Sequence, residues 1–269
     1  MFDLTERVAV VTGGTGALGG AMCRTLAEAG ATVVIIARTE ADTRQLAEDI
    51  NANGGRAVGM GADVLQPDTL QAAADHIRAT YGRVDVLVNG AGGNHPEATA
   101  TPGDRTFFDL PPEALRWVID LNLTGTILPS QIFGAFMASQ GHGAIINISS
   151  MASMQPLTRV VAYGAAKAAV NNLTRWLAVY MATEHNPAIR VNAIAPGFFL
   201  GEQNRFLLKK PDDTLTDRGQ QIIDHTPMGR FGDPTDLNGT LLWLASDASR
   251  FVTGVVVPVD GGFSAYGGV

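Results

Sequence analysis

The sequence predicts a doubly wound α/β fold: a parallel sheet of about seven strands with helices on both faces. Three observations carry that expectation. Short apolar runs rich in β-branched residues recur along the chain, they alternate little with polar residues, and helix-length segments separate them. Strands apolar on both faces suit the inside of a parallel sheet, whose neighbouring strands need crossover helices between them.

The first apolar run, residues 8–11, leads into Thr12-Gly13-Gly14-Thr15-Gly16-Ala17-Leu18-Gly19 and a helix over 17–29. Glycines between a strand and a helix permit a tight turn and let the backbone approach a pyrophosphate, whose charge faces the helix amino end. The second run, 32–37, ends in Ala37-Arg38-Thr39, about 20 residues beyond the cradle. An acidic residue here would hold the ribose hydroxyls of NAD, whereas an arginine pairs with the 2′-phosphate of NADP. NADP is therefore the expected cofactor, with NAD the other choice.

Helices are expected over 40–53 and 67–81, with strands at 57–60 and 84–88. Residues 92–110, rich in Gly, Pro and Thr, read as a long loop. A helix over 112–139 and a strand over 144–148 follow, and then Ser149-Ser150. The next helix begins near Val161 and carries Tyr163-Gly164-Ala165-Ala166-Lys167. A strand at 189–193, a second long segment at 198–231 and a last strand at 255–259 complete the pattern. Both long segments leave carboxyl ends of strands, where open α/β sheets bind ligands. The expectation is one Rossmann-type domain over residues 1–269, with substrate loops at about 92–110 and 198–231.

Bulk composition narrows the classes. Of the 269 residues, 46% are hydrophobic, enough for one sizeable core, and the net charge of -7 favours neither nucleic acid nor an anionic membrane. A single cysteine, Cys23, excludes an internal disulfide and a multi-cysteine metal site. No metal is expected, because no His and carboxylate cluster has ligand spacing. The start lacks a basic and then apolar leader, and no stretch is long and apolar enough to span a membrane, so the expected compartment is the cytoplasm.

Tyr163 and Lys167, four residues apart, share a helix face. A free phenol titrates near pH 10, and a nearby ammonium stabilises the phenolate, so the pair is a sensible proton-transfer unit. A serine hydroxyl alongside could hold a carbonyl or alcohol oxygen.

With these residues in view, the chain resembles a single-domain short-chain dehydrogenase/reductase over residues 4–262. Its motifs stand in order: the TGxxxGxG cradle at Thr12–Gly19, Asp63-Val64, Asn89-Gly90-Ala91-Gly92, Asn122, Ser150, the Tyr163/Lys167 pair and Pro196-Gly197. The resemblance implies that Tyr163 is the acid/base. It implies that Lys167 binds the nicotinamide ribose and depresses the phenol, that Ser150 positions the substrate oxygen and that Asn122 completes a proton relay. Cofactor contacts would come from Gly13, Thr15, Gly16, Leu18, Gly19, Arg38, Asp63, Val64, Ala91, Gly92, Pro196 and Gly197, with Asn89 stabilising the central strand. Ala17 and Gly90 depart from the family pattern. A sugar-nucleotide epimerase would carry a larger carboxyl-terminal domain, and a non-catalytic NADP binder would not need the Ser/Asn/Tyr/Lys set.

Residues 92–96, the segment 204–219 and the tail 259–269 resemble the sugar-acid branch of that family, which interconverts fructuronate and mannonate. A hexuronate brings a carboxylate, which wants a cation, and hydroxyls, which want short polar partners. Arg105, Arg205, Lys209, Lys210 and Arg218 offer the first, and Asn94, His95 and Gln203 the second. Arg205, the nearest of the segment's cations to Pro196-Gly197 in sequence, is the expected carboxylate partner, with Asn94 and His95 on the hydroxyls. The long apolar helices at 112–139 and 161–184 suggest self-association, and the resemblance implies a homotetramer.

Overall fold

The computed structural model describes residues 2–201, 205 and 207–268. Among these, seven parallel strands form one sheet in the order β3-β2-β1-β4-β5-β6-β7. They are β1 (Val8–Thr12), β2 (Thr32–Ala37), β3 (Arg56–Gly61), β4 (Val86–Asn89), β5 (Gly143–Ile148), β6 (Ile189–Pro196) and β7 (Val256–Val259). The expected strands are all present, with some ends moved by a few residues. Strand order reverses between β1 and β4, which places a ligand crevice at their carboxyl ends.

Each inner strand sends alternate side chains to opposite faces. Val8, Val10, Val34, Ile36, Leu87 and Ile145 meet α3 (Pro67–Tyr81), α5 (Gly125–Gln140) and α6 (Val161–Tyr180). Ala9, Val11, Val33, Ile35, Val88 and Ile146 meet α1 (Ala17–Glu28), α2 (Glu40–Ala52) and the Asn238–Ala245 helix. Burying one such valine or isoleucine stabilises by about 1.5–3 kcal/mol, so both layers are held firmly.

Three segments differ from the expected pattern. The helix predicted over 112–139 is α4 (Pro112–Ile119) and α5, joined by a π-helical turn at Asp120–Thr124. The Thr126 hydroxyl donates to the Asn122 carbonyl at 2.8 Å and the Ser130 hydroxyl to Thr126 at 2.7 Å, a back-bonding pattern that bends helices. The segment 198–231 contains a helix, α7 (Asp217–Asp224), capped by the Thr216 hydroxyl, which accepts from the Gly219 amide at 3.0 Å. The helix predicted over 161–184 ends as α6 and one π-helical turn at Met181–His185. The Asn238–Ala245 helix is α8.

Asp85 pins the far end of the sheet. Its fully buried side chain accepts from the Val8 amide (2.8 Å), from Arg83 Nε (2.8 Å) and Nη2 (2.7 Å), and lies 3.1 Å from His142 Nε2. Burial alone would raise this carboxyl, but these donors outweigh it and hold Asp85 below the ordinary carboxylate range. The stability it contributes is therefore full above about pH 4 and lost as pH falls through its folded value. Asp85→Asn should cost about 1.5–3 kcal/mol at neutral pH and flatten the acid limb of the stability curve. Thermal melts from pH 3 to 7 check this; an unchanged acid limb contradicts it.

Candidate active site

The carboxyl ends of β1, β4, β5 and β6 open into a cleft of about 760 Å³. Its floor is the turn after β1. Gly13 has φ +66°, and a Cβ there would lie 2.7 Å from Ala91 Cα; a Cβ at Gly19 would lie 2.1 Å from the Gly13 carbonyl oxygen. Helix α1 thus presses directly onto the turn, leaving Thr15, Gly16 and Leu18 on the cleft wall. Ala17 is the first helical residue after the cap Gly16, so its methyl stands outside the turn itself. At Gly90 a Cβ would meet the Thr12 carbonyl at 2.8 Å, so β1 and β4 approach more closely here than a side chain at 90 would allow.

One end of the cleft is lined by Ala37, Arg38, Asp63 and Val64, and also by Thr39 and Asp42. Asp63 accepts from the Leu65 amide at 2.9 Å, which fixes the turn after β3. Ala91, Gly92, Pro196 and Gly197 line the middle. A Cβ on Gly197 would sit 2.7 Å from Asp260 Cα, so only glycine lets this strand end pass so near.

Ser150, Tyr163 and Lys167 meet at the inner end. Ser150 follows β5, accepts from the Ala152 amide at 3.1 Å and lowers the proton affinity of the Tyr163 hydroxyl. Lys167, one turn beyond Tyr163, is buried; its Nζ donates to the Ile148 carbonyl at 2.8 Å and lies 5.7 Å from the Tyr163 ring centroid. Desolvation pushes this ammonium down to about 8. The expected depression of the phenol is not found. Burial pushes Tyr163 above its ordinary value, and the Ser150 hydroxyl opposes this only in part.

Neighbouring Ser149 has a different task. Its hydroxyl donates to Asn171 Oδ1 at 2.5 Å, tying the end of β5 to α6. Asn122, fully buried in the π-helical turn, exchanges hydrogen bonds with the Gly93 backbone (2.6 and 3.1 Å) and donates to the Val118 carbonyl (2.8 Å). It stands behind Gly92 with Lys167: a Cβ on Gly92 would lie 2.7 Å from Asn122 Oδ1 and 3.1 Å from Lys167 Nζ. Asn89 supports the site from within the sheet. Its Nδ2 donates to Ser130 (2.8 Å) and Asn147 (2.9 Å), and Asn147 donates to Thr174 (2.9 Å), a polar chain from α5 through β4 and β5 to α6.

The expected substrate residues divide. Asn94 lines the cleft and donates to the Thr99 hydroxyl at 2.8 Å. His95 does not; its Nδ1 accepts from the Glu97 amide and its ring meets Trp117 edge-on at 5.2 Å. Arg205 is not on the cleft wall either, because Asp213 holds it in an ion pair. Gln203, Asn204 and Phe206 lie outside the described residues. Sequence reasoning missed Trp117, Leu121, Phe198 and Phe199 as lining residues. Trp117, on α4, faces the cleft. Cys23 is buried and pushed up to about 12 by desolvation, matching an inert thiol.

A family profile described as short chain dehydrogenase matches residues 7–211. The chain is 48% identical over 275 residues to an uncharacterized oxidoreductase, UxuB, of Bacillus subtilis strain 168, covering 99% of this chain and 98% of that protein. A solved structure from Haemophilus influenzae, provisionally named a D-mannonate oxidoreductase and holding NAD, is 41% identical with a TM-score of 0.93, covering 99% and 98%. A gluconate 5-dehydrogenase from Burkholderia cenocepacia J2315, solved with NADP and tartrate, is 33% identical with a TM-score of 0.88, covering 98% of each chain.

The two serines should separate experimentally. Ser149→Ala should lower the melting temperature while retaining most turnover, because it cuts the tie to α6. Ser150→Ala should melt near the parent and lose roughly 10²-fold or more in turnover, the usual cost of an oxyanion-type donor. Exchanged outcomes would reverse the assignment.

Proposed function

The chain belongs to the short-chain dehydrogenase/reductase family, and within that family we propose that it reduces the keto group of a sugar acid, of the D-fructuronate to D-mannonate kind. It is an NAD(P)-dependent oxidoreductase. The observation that carries the chemistry is that Ser150, Tyr163 and the buried Lys167, one turn beyond Tyr163, line the same cleft. Sugar-acid chemistry draws support from the relatives named for D-mannonate and gluconate.

The residues fit a dinucleotide. Glycines stand where any Cβ would collide, the α1 amino terminus faces the cradle, and Gly92 leaves room beside Asn122 and Lys167. The cradle would hold the pyrophosphate, Asp63 and Val64 the adenine, and Lys167 the nicotinamide ribose. A nicotinamide bound there supplies the hydride. Ser150 then holds the substrate oxygen while negative charge develops on it. Tyr163, protonated well above neutral pH, delivers its proton to that oxygen from the hydroxyl. A phenol kept in its acid form suits reduction of a ketone. Asn122 holds Gly93 and so shapes the wall beside Lys167; its part in a proton relay belongs to the same proposal.

Arg38 beside neutral Ala37 favours the 2′-phosphate of NADP. Exposed apolar side chains on α4 and α6, among them Ile119, Trp176 stacked on Tyr180 at 5.0 Å, and Val179, support association of copies through this face, read as a tetramer. Among the described residues no helix is long and apolar enough to cross a membrane, and a cytoplasmic enzyme fits that reading.

The test compares kcat/KM for D-fructuronate with that for fructose and for a 3-oxoacyl thioester, using NADPH and NADH. Fructuronate should be preferred by roughly 10-fold or more, with a lower KM for NADPH. Equal activity on fructose removes the sugar-acid reading, a thioester preference moves the chain to acyl substrates, and a lower KM for NADH overturns the role given to Arg38.

A further inference from the structure

Asparagine is a poor helix former, because its side chain competes for backbone hydrogen bonds. Helix α6 nevertheless carries two in its middle, Asn171 and Asn172, and of these only Asn172 is exposed. Asn171 is buried one turn beyond Lys167 and two turns beyond Tyr163, so the three side chains share one face of the helix. Its amide is used at both ends. Oδ1 accepts from the Ser149 hydroxyl at 2.5 Å, and Nδ2 donates to the Ser153 hydroxyl at 2.7 Å.

The second bond sets a direction. With its oxygen accepting from Asn171, the Ser153 hydroxyl gives its own proton to the Ser150 carbonyl, 2.5 Å away. That carbonyl also accepts from the Ser153 amide at 3.0 Å, so the Ser150 peptide is held twice at the cap of the short turn Met151–Ser153. The Ser150 hydroxyl accepts from the Ala152 amide, which leaves its proton for a partner in the cleft. Helix α6 thus grips three successive residues after β5. Lys167 holds the Ile148 carbonyl, Asn171 the Ser149 hydroxyl, and Asn171 through Ser153 the Ser150 carbonyl. Beside Tyr163 the same helix comes close again: a Cβ on Gly164 would lie 3.2 Å from the Ala152 carbonyl oxygen.

We propose that Asn171 and Ser153 are positioning residues, a link from the helix that carries Tyr163 to the peptide that carries Ser150, and that they aim the Ser150 hydroxyl at the reacting oxygen. The proposal rests on the role given to Ser150 above. Neither Asn171 nor Ser153 lines the cleft, so their effect passes through Ser150. The two arms of Asn171 do different work. The Ser149 arm ties β5 to α6, whereas the Ser153 arm fixes the serine that meets substrate. With both reacting hydroxyls set from one helix, a displacement of α6 carries Ser150 and Tyr163 together and preserves their spacing.

The test measures kcat, KM and NADPH affinity for Ser153→Ala, Ser153→Thr and Asn171→Ala, and for Ser153→Ala placed in a Ser150→Ala background. The substrate is whichever of D-fructuronate, fructose or a 3-oxoacyl thioester the parent reduces fastest. Ser153→Ala and Asn171→Ala should each lose roughly 10-fold or more, chiefly in kcat, with NADPH affinity within about twofold, since a misplacement of about 1 Å can cost about 100-fold. Ser153→Thr keeps the hydroxyl and should return most of the rate. In the Ser150→Ala background, Ser153→Ala should change kcat by less than about twofold, because no hydroxyl remains to be aimed. Equal losses in both backgrounds give Ser153 a merely structural part and overturn the link, as does parent-like kcat in Ser153→Ala when Ser150→Ala is impaired. Parent-like turnover in Ser150→Ala instead overturns the role of Ser150 itself, and the link with it.

Discussion

The burial of Lys167 is the constraint on which the rest of the site depends. An ammonium taken out of water without a carboxylate beside it is costly, and the fold meets that cost with one carbonyl, that of Ile148, and a depressed proton affinity. Space for the charge comes from Gly92, where a side chain would collide with both Asn122 and Lys167. The π-helical turn that carries Asn122 holds Gly93 in place beside it. Ser149 fixes the distance between β5 and α6, and the Ser130–Asn89–Asn147–Thr174 chain fixes the same layers deeper in the core.

Burial acts on Tyr163 in the opposite sense. The phenol is held in its acid form while the lysine beside it is made easier to discharge. Two groups of opposite charge type, whose ordinary values lie close together at about 10, are driven apart when desolvated together, the phenol upward and the ammonium down to about 8. That keeps the proton on Tyr163, where it can be given to a developing alkoxide.

Much of this was legible in the sequence because it is local. The seven strands follow from apolar runs, and the cradle from glycines between a strand and a helix. The Tyr163/Lys167 pair follows from its four-residue spacing, and Ser150 from the family resemblance. What escaped depends on contacts between distant segments. The π-helical turn precedes a helix that carries Pro129 and the back-bonding Thr126 and Ser130, features no hydrophobic period records. Arg205 is available by sequence but held by Asp213 in the fold, and Trp117 reaches the cleft only because α4 lies beside it.

The central claim is that the Tyr163 hydroxyl moves the proton while the cleft binds the cofactor without it. Tyr163→Phe removes that one atom and leaves the ring, so turnover and NADPH binding measured on the same preparation test the claim directly. The account predicts turnover reduced at least about a hundredfold, the usual worth of a positioned general acid, with NADPH affinity retained within about twofold. Near-normal turnover in the phenylalanine variant would contradict it.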